Sequence, residues 1–459
     1  MLFNSFAFLL AFLPAAIIVY AWADQYPRAR MPVLIALSLL FYGYWNASFL
    51  VLIALSILCN WLLALLYQRT QRGLLITIAI IGNLAVLGFF KYSAFFAQNV
   101  EAVTGSELYY WRFALPLGIS FFTFHHVMYL VDLRRGRAPI YPLDRYALYI
   151  CFFPQSISGP LARWNEVMHQ FGERAFGPGW ERRVAEGVLF IVIGLVEKIL
   201  LADPIAASID PIYAHAAKGH LPAGEAWDAL AFGYQVFFDF AGYTDIAIGL
   251  GLVFGVQLPR NFDAPFRTAS LLDFWQRWHM TLSRFLRDYV FTPLSKSRVG
   301  GSRLRSARIL AALLLTMALC GLWHGAGWTY IVWGAMQGVG LCFAAVWRRY
   351  LPSPPKLVGW AATTAFFLIT AIIFRAPTLQ AAWYVYEGLA SFPDLKLTGA
   401  HPGLLAAFCA VVVPPSHQAV TRMMGLPRAW VAYAAAAVVT YCLLEIGQGA
   451  SVNFIYFQF

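Results

Sequence analysis

Residues 309–347 read ILAALLLTMALCGLWHGAGWTYIVWGAMQGVGLCFAAVW, a stretch of 39 residues between Arg308 and Arg348 with no Lys, Arg, Asp or Glu. One helical crossing of a bilayer takes about 20 residues, so the stretch is long enough for two arms. The basic residues at both ends place those ends on the same, cytoplasmic side. At the midpoint stands Trp323-His324-Gly325-Ala326-Gly327. At a rise of ~1.5 Å per residue, His324 lies on the order of 24 Å from the cytoplasmic boundary. The two glycines favour a helix break there, which membrane depth tolerates only inside protein or beside water.

The rest of the chain has the same chemistry. Its 459 residues are 60% hydrophobic and 12% charged, with a mean hydropathy of +0.64, against about 25% charged in an ordinary soluble domain. Apolar segments run over 4–23, 32–45, 48–67, 73–90, 184–202, 227–255, 357–374, 403–415 and 427–447. Segments 113–131 and 146–159 are interrupted by Pro and Gly and read as broken or re-entrant. The expected fold is an all-α polytopic membrane protein with about nine to twelve spanning or half-spanning helices. Residues 1–459 read as one integral membrane domain, since no long polar stretch separates a second. The first run, 4–23, follows no basic n-region and reads as a retained span.

The formal net charge is +11. In a soluble chain that would suggest nucleic acid, but here the cations sit in loops between apolar runs, the cytoplasmic bias of membrane proteins. The loop 256–308 holds ten basic residues against three Asp, whereas 203–225 contains only Lys218 as a Lys or Arg. The N-terminus and 203–225 are therefore expected outside and 256–308 in the cytoplasm; the uncharged stretch 449–459 is expected to end outside. Six scattered Cys with no CxxC give neither a disulfide framework nor a zinc site.

His324 is the sharpest chemical signal, because an ionisable residue at membrane depth is a functional candidate by default. It reads either as a proton acceptor for an alcohol or as a hydrogen-bonded packing residue, with Trp323 beside it as a binding residue. His279 lies in LLDFWQRWHMTLSRFLRDYV (271–290), where Leu271, Phe274, Trp275, Trp278, Leu282, Phe285 and Tyr289 follow helical spacing. That pattern predicts one amphipathic helix at the cytoplasmic interface, either a surface anchor or a helix whose Arg277, Arg284 and Arg287 also hold a phosphorylated donor. Asp239 and Tyr243 share a helix face inside an apolar run, suited to orienting a histidine, binding Arg or forming a structural pair. Glu197-Lys198 reads as a local pair or a snorkelling helix end. The adjacent His125 and His126 lack further metal ligands at suitable spacing.

Several stretches together resemble the membrane-bound O-acyltransferase family, in particular its bacterial branch of alginate O-acetyltransferases and teichoic acid D-alanyl transfer proteins. They are LPLGISFFTFHHVMYLVDLRRG (115–136), FFPQSISGPLARWNE (152–166), FDFAGYTDIAIGLGLVFGVQLPRNFDAPF (238–266), DFWQRWHMTLSRFLRDYVFTPL (273–294) and GLWHGAGWTYIVWGAMQG (321–338). The family pattern often reads FQ where this chain has Phe124-His125. The resemblance implies that His324 is the family's essential histidine and His279 its second. It also implies a central tunnel where a cytoplasmic funnel meets an extracytoplasmic one. The implied donor is acetyl-coenzyme A or another acyl thioester, with no bound cofactor. Implied partners are membrane lipid, a polysaccharide acceptor and an extracytoplasmic acetyltransferase, in a bacterial inner membrane. A transporter or flippase of an acylated carrier fits composition and span number equally; transfer from acetyl-coenzyme A separates the two.

Overall fold

The computed structural model describes residues 1–105, 114–221, 224–296, 305–391, 401–449 and 454–455. The expectation about 449–459 therefore lies almost wholly outside the described residues, as do Arg298 and Arg303 of the basic loop. Every regular element among the described residues is helical. Seven helices are long and apolar enough to cross a membrane, or eight if a pair bent by 69°, Pro402–Val412 and Ser416–Met423, makes one broken span. The chain is a multi-pass membrane protein. It divides into two compact units, Met1–Ile193 with Tyr243–Arg260, and Gly194–Gly242 with Asn261–Phe459.

The first unit carries α1 (Leu13–Ala23, continuing a π-helical run Ala7–Phe12), α2 (Pro27–Gly43), α3 (Ser48–Thr70), α4 (Gly73–Thr104), α5 (Ile119–Arg134), α6 (Leu143–Cys151), α7 (Trp164–Val167) and most of α8 (Trp180–Val196). Between apolar helices in lipid, close packing and interhelical hydrogen bonds supply the attraction that water exclusion supplies elsewhere. Asn60 of α3 and Asn83 of α4 exchange amide hydrogen bonds at 3.2 and 2.7 Å. His126 of α5 joins Ser56 of α3 at 3.0 Å and the Tyr146 hydroxyl of α6 at 2.6 Å, tying three helices together. The outward residues of α3 and α4, among them Val51, Leu55, Leu74 and Ile81, are exposed, a surface suited to lipid. Buried Asp24, after α1, accepts the Ala175 and Phe176 N–H groups at 2.9 and 2.8 Å, replacing the water it has lost.

The second unit carries α9 (Asp203–Ala217), the first half of α10 (Phe232–Val253), α11 (Leu271–Arg277), α12 (Met280–Phe285), α13 (Thr292–Ser295), α14 (Arg305–His324), α15 (Trp328–Tyr350), α16 (Lys356–Arg375), α17 (Leu379–Ala390), α18 (Pro402–Val412), α19 (Ser416–Met423) and α20 (Arg428–Gly447). The two arms expected over 309–347 are α14 and α15, and the break falls at the glycines. These helices pack backbone to backbone: a Cβ on Gly321 would strike the Tyr330 carbonyl, and one on Gly334 the Met317 carbonyl. Glycine is required there because only a missing side chain permits that approach.

Two expectations are corrected. Residues 271–290 do not form one amphipathic surface helix. α11 ends at Arg277, Trp278 is extended, His279 takes a left-handed conformation, and the chain restarts as α12 followed by a π-helical turn at Leu286–Phe291. Leu271, Phe274, Trp275, Trp278, Leu282 and Phe285 are all buried in protein, so the apolar stripe packs into the core instead of lying on lipid. Lys198 does not snorkel. It is buried within a π-helical turn, Glu197–Ala202, with its ammonium 2.5 Å from Asp239 and 2.7 Å from Asp203. A cation taken out of water needs such partners to remain charged.

Candidate active site

The second unit brings His279, Trp323 and His324 together. His324 is the last residue of α14, and its buried ring lies edge-on to Trp323 at 4.6 Å, Trp333 at 5.5 Å and Phe374 at 5.2 Å between centroids. Trp333 comes from α15 and Phe374 from α16, so three helices frame one imidazole. The break after His324 lets α15 fold back and present Trp333. Gly325 lies directly under the Tyr330 ring, where a side chain would collide.

His279 stands at the break between α11 and α12, with φ +42° and ψ +53°. A non-glycine residue there costs on the order of 1–3 kcal/mol and persists only where its surroundings over-determine it. A clip of backbone from 261–263 does this: Met280 N–H donates to the Asn261 carbonyl at 2.8 Å and Asp263 N–H to the Arg277 carbonyl at 3.0 Å. The ring is 1% exposed and meets Phe240 edge-on at 4.6 Å and Trp323 at 6.3 Å. Its Nδ1 is 3.1 Å from Asn261 Oδ1. Burial pushes the His279 pKa down to about 3, leaving a neutral imidazole at pH 7.

A second layer holds these rings. Gln337 of α15, fully buried, accepts from Trp275 Nε1 at 3.3 Å and donates to Thr370 Oγ1 of α16 at 2.7 Å. Trp278 stacks on Phe274 at 5.5 Å and meets Phe367 at 4.8 Å. Such satisfied, close-packed surroundings keep the site's geometry fixed.

The other residues singled out from the sequence lie elsewhere. Arg277 and Arg287 are exposed and Arg284 is half-buried; Arg287 pairs with the adjacent Asp288 at 2.8 Å. Asp239 is engaged with Lys198 and accepts the Ile455 N–H at 2.8 Å, so its carboxylate serves the packing of the second unit and not a histidine. Tyr243, four residues on, belongs to the first unit, where its ring stacks on Phe3 at 4.8 Å. Sequence reasoning missed Asn261, Phe240, Trp333 and Phe374. The only local signal for Asn261 is an amide between Arg260 and Phe262, two residues after Pro259, in a short loop that also carries Asp263.

The pattern of the MBOAT, membrane-bound O-acyltransferase family, matches residues 65–386, a span that contains both histidines. The chain belongs to the membrane-bound O-acyltransferase family. It is an O-acyltransferase by that membership, and the family resemblance seen in 115–338 holds over most of the chain. The peptidoglycan O-acetyltransferase of Helicobacter pylori is 34% identical over 436 residues, covering 86% of this chain and 81% of that protein. The probable alginate O-acetylase AlgI of Pseudomonas aeruginosa is 35% identical over 412 residues, covering 87% and 76%. The teichoic acid D-alanyltransferase of Bacillus subtilis is 29% identical over 283 residues, covering 59% and 68%.

Proposed function

We propose that this acyltransferase moves an acetyl group from a cytoplasmic thioester, acetyl-coenzyme A, toward hydroxyls of an extracytoplasmic polysaccharide. Transfer is direct or passes through a partner acetyltransferase, in the inner membrane of a bacterium. The names of the relatives, a peptidoglycan O-acetyltransferase and an alginate O-acetylase, support acetyl as the group and a cell-envelope glycan as the acceptor. The single observation carrying the chemistry is the buried imidazole of His324. It ends a helix of 20 residues that carries no Lys, Arg, Asp or Glu after Arg308, at a glycine break, enclosed by aromatic edges.

In this reading His324 is the general base. The acceptor oxygen attacks the thioester carbonyl carbon while the imidazole takes the hydroxyl proton. The C–S bond then breaks, and the departing thiolate receives that proton from the imidazolium. A thioester is already activated, so positioning and a base suffice without an acyl-enzyme. Arg277, Arg284 and Arg287 meet the donor's phosphates at the cytoplasmic face, Trp323 holds the acyl end near the histidines, and a tunnel joins the two sides.

The test uses the full chain in proteoliposomes with labelled acetyl-coenzyme A and an oligosaccharide acceptor. His324→Gln keeps hydrogen-bonding capacity but removes the base. Turnover is expected to fall about 10²–10⁴-fold while the protein inserts and accumulates normally. Near-normal turnover would leave His324 as interhelical packing.

A further inference from the structure

Asn261 makes more contacts with the His279 break than a backbone clip requires. The residue is 1% exposed. Its Oδ1 accepts the Thr281 N–H at 3.3 Å and the Thr281 hydroxyl at 2.9 Å, and lies 3.1 Å from His279 Nδ1. The backbone N–H of Thr281 is a donor in every state of the protein, so the amide oxygen, not its NH₂, must face this cluster. An amide oxygen only accepts. The hydrogen in the His279–Asn261 contact therefore belongs to Nδ1, and a neutral imidazole has only one.

We propose that Asn261 is a positioning residue that fixes His279 as the Nδ1–H tautomer, so that Nε2 is presented as a proton acceptor in the ring cluster it forms with Trp323. The effect on turnover rests on the acyl-transfer reading above; the tautomer itself rests on geometry alone. One residue sets both variables that an accepting nitrogen needs. Its carbonyl, bonded to Met280 N–H, holds the backbone in the left-handed turn that aims the ring. Its side chain chooses which nitrogen carries the hydrogen. Burial of the ring keeps it neutral, so that choice is not erased by protonation. A purely structural clip would need only the bonds to Met280 and Thr281 and would leave the tautomer undetermined.

The experiment is ¹⁵N spectroscopy of histidine-labelled full-length protein in lipid, with the His279 signals identified by their loss in His279→Gln. The wild type is expected to show a protonated Nδ1 and an unprotonated Nε2. Asn261→Leu is expected to mix the tautomers and to lower kcat on the order of 10- to 100-fold, less than deleting a base, with donor KM within about twofold. Asn261→Asp keeps an acceptor oxygen and is expected to restore both the tautomer and most of the turnover. A hydrogen on Nε2 in the wild type would overturn the proposal, as would an Asn261→Asp protein that behaves like Asn261→Leu. If Asn261→Leu does not accumulate, the wild-type and Asn261→Asp spectra still decide. A wild type that never transfers acetyl sinks the functional reading but leaves the tautomer test intact.

Discussion

His279 and His324, far apart in sequence, share one aromatic neighbour: the Trp323 indole lies 6.3 Å from the first ring and 4.6 Å from the second. The indole is 7% exposed and fills the space that keeps both imidazoles in place. Trp323→Ala is expected to cost about 3–5 kcal/mol of stability and to lower kcat at least about tenfold, because two rings lose their packing at once. Trp323→Phe retains an aromatic edge and should recover most of both losses. Thermal unfolding and turnover measured on the same preparations check this. A Phe variant as impaired as Ala would move the role from the ring's bulk to its Nε1–H.

Lys198 neutralises a buried acidic pair. Its ammonium is 2.5 Å from Asp239 and 2.7 Å from Asp203, and it sits over the Phe454 ring at 4.7 Å. Lys198→Met leaves two carboxylates facing each other without a cation, with an expected loss of about 3–5 kcal/mol. Adding Asp239→Asn removes one of those charges, so the double variant should lose clearly less than the sum of the single losses. Unfolding in detergent measures all members of the cycle. Strict additivity would mean that Lys198 and Asp239 act independently.

The arginines of the broken segment differ in how available their charge is. Arg287 is already paired with Asp288, Arg277 is exposed and Arg284 is half-buried. Arg277→Gln and Arg284→Gln are expected to raise the donor KM about tenfold, the scale of one hydrogen bond to a charged group, with kcat little changed. Arg287→Gln should have a smaller effect, and all three effects should shrink at high salt. Initial-rate kinetics at two ionic strengths read this directly. Unchanged donor KM with reduced accumulation would make these residues anchors instead.

The same segment marks a limit of sequence reading. Helical spacing over 271–290 is regular, yet the helix breaks at Trp278 and His279. The N–H of Met280 is taken by the carbonyl of Asn261, and hydropathy contains no term for a distant carbonyl. Lys198 was misplaced for the same reason: its partners include Asp239, from a different helix. A charge near the end of an apolar run looks local until the fold supplies a carboxylate.

Over 309–347 the outcome was different, because what decides that stretch is local. Freedom from charge, a length of about two crossings and glycines beside His324 are properties of neighbouring residues, and they become α14, the break and α15. By itself the sequence determined the all-α membrane class, the hairpin and the placing of a histidine at its turn, and its motifs pointed to the family. The tertiary structure alone decided that Trp333 and Phe374 enclose that histidine, that Trp323 joins it to His279 and that Asn261 faces the second ring. Those contacts join residues from separate helices, and their energies depend on distances that no local pattern encodes.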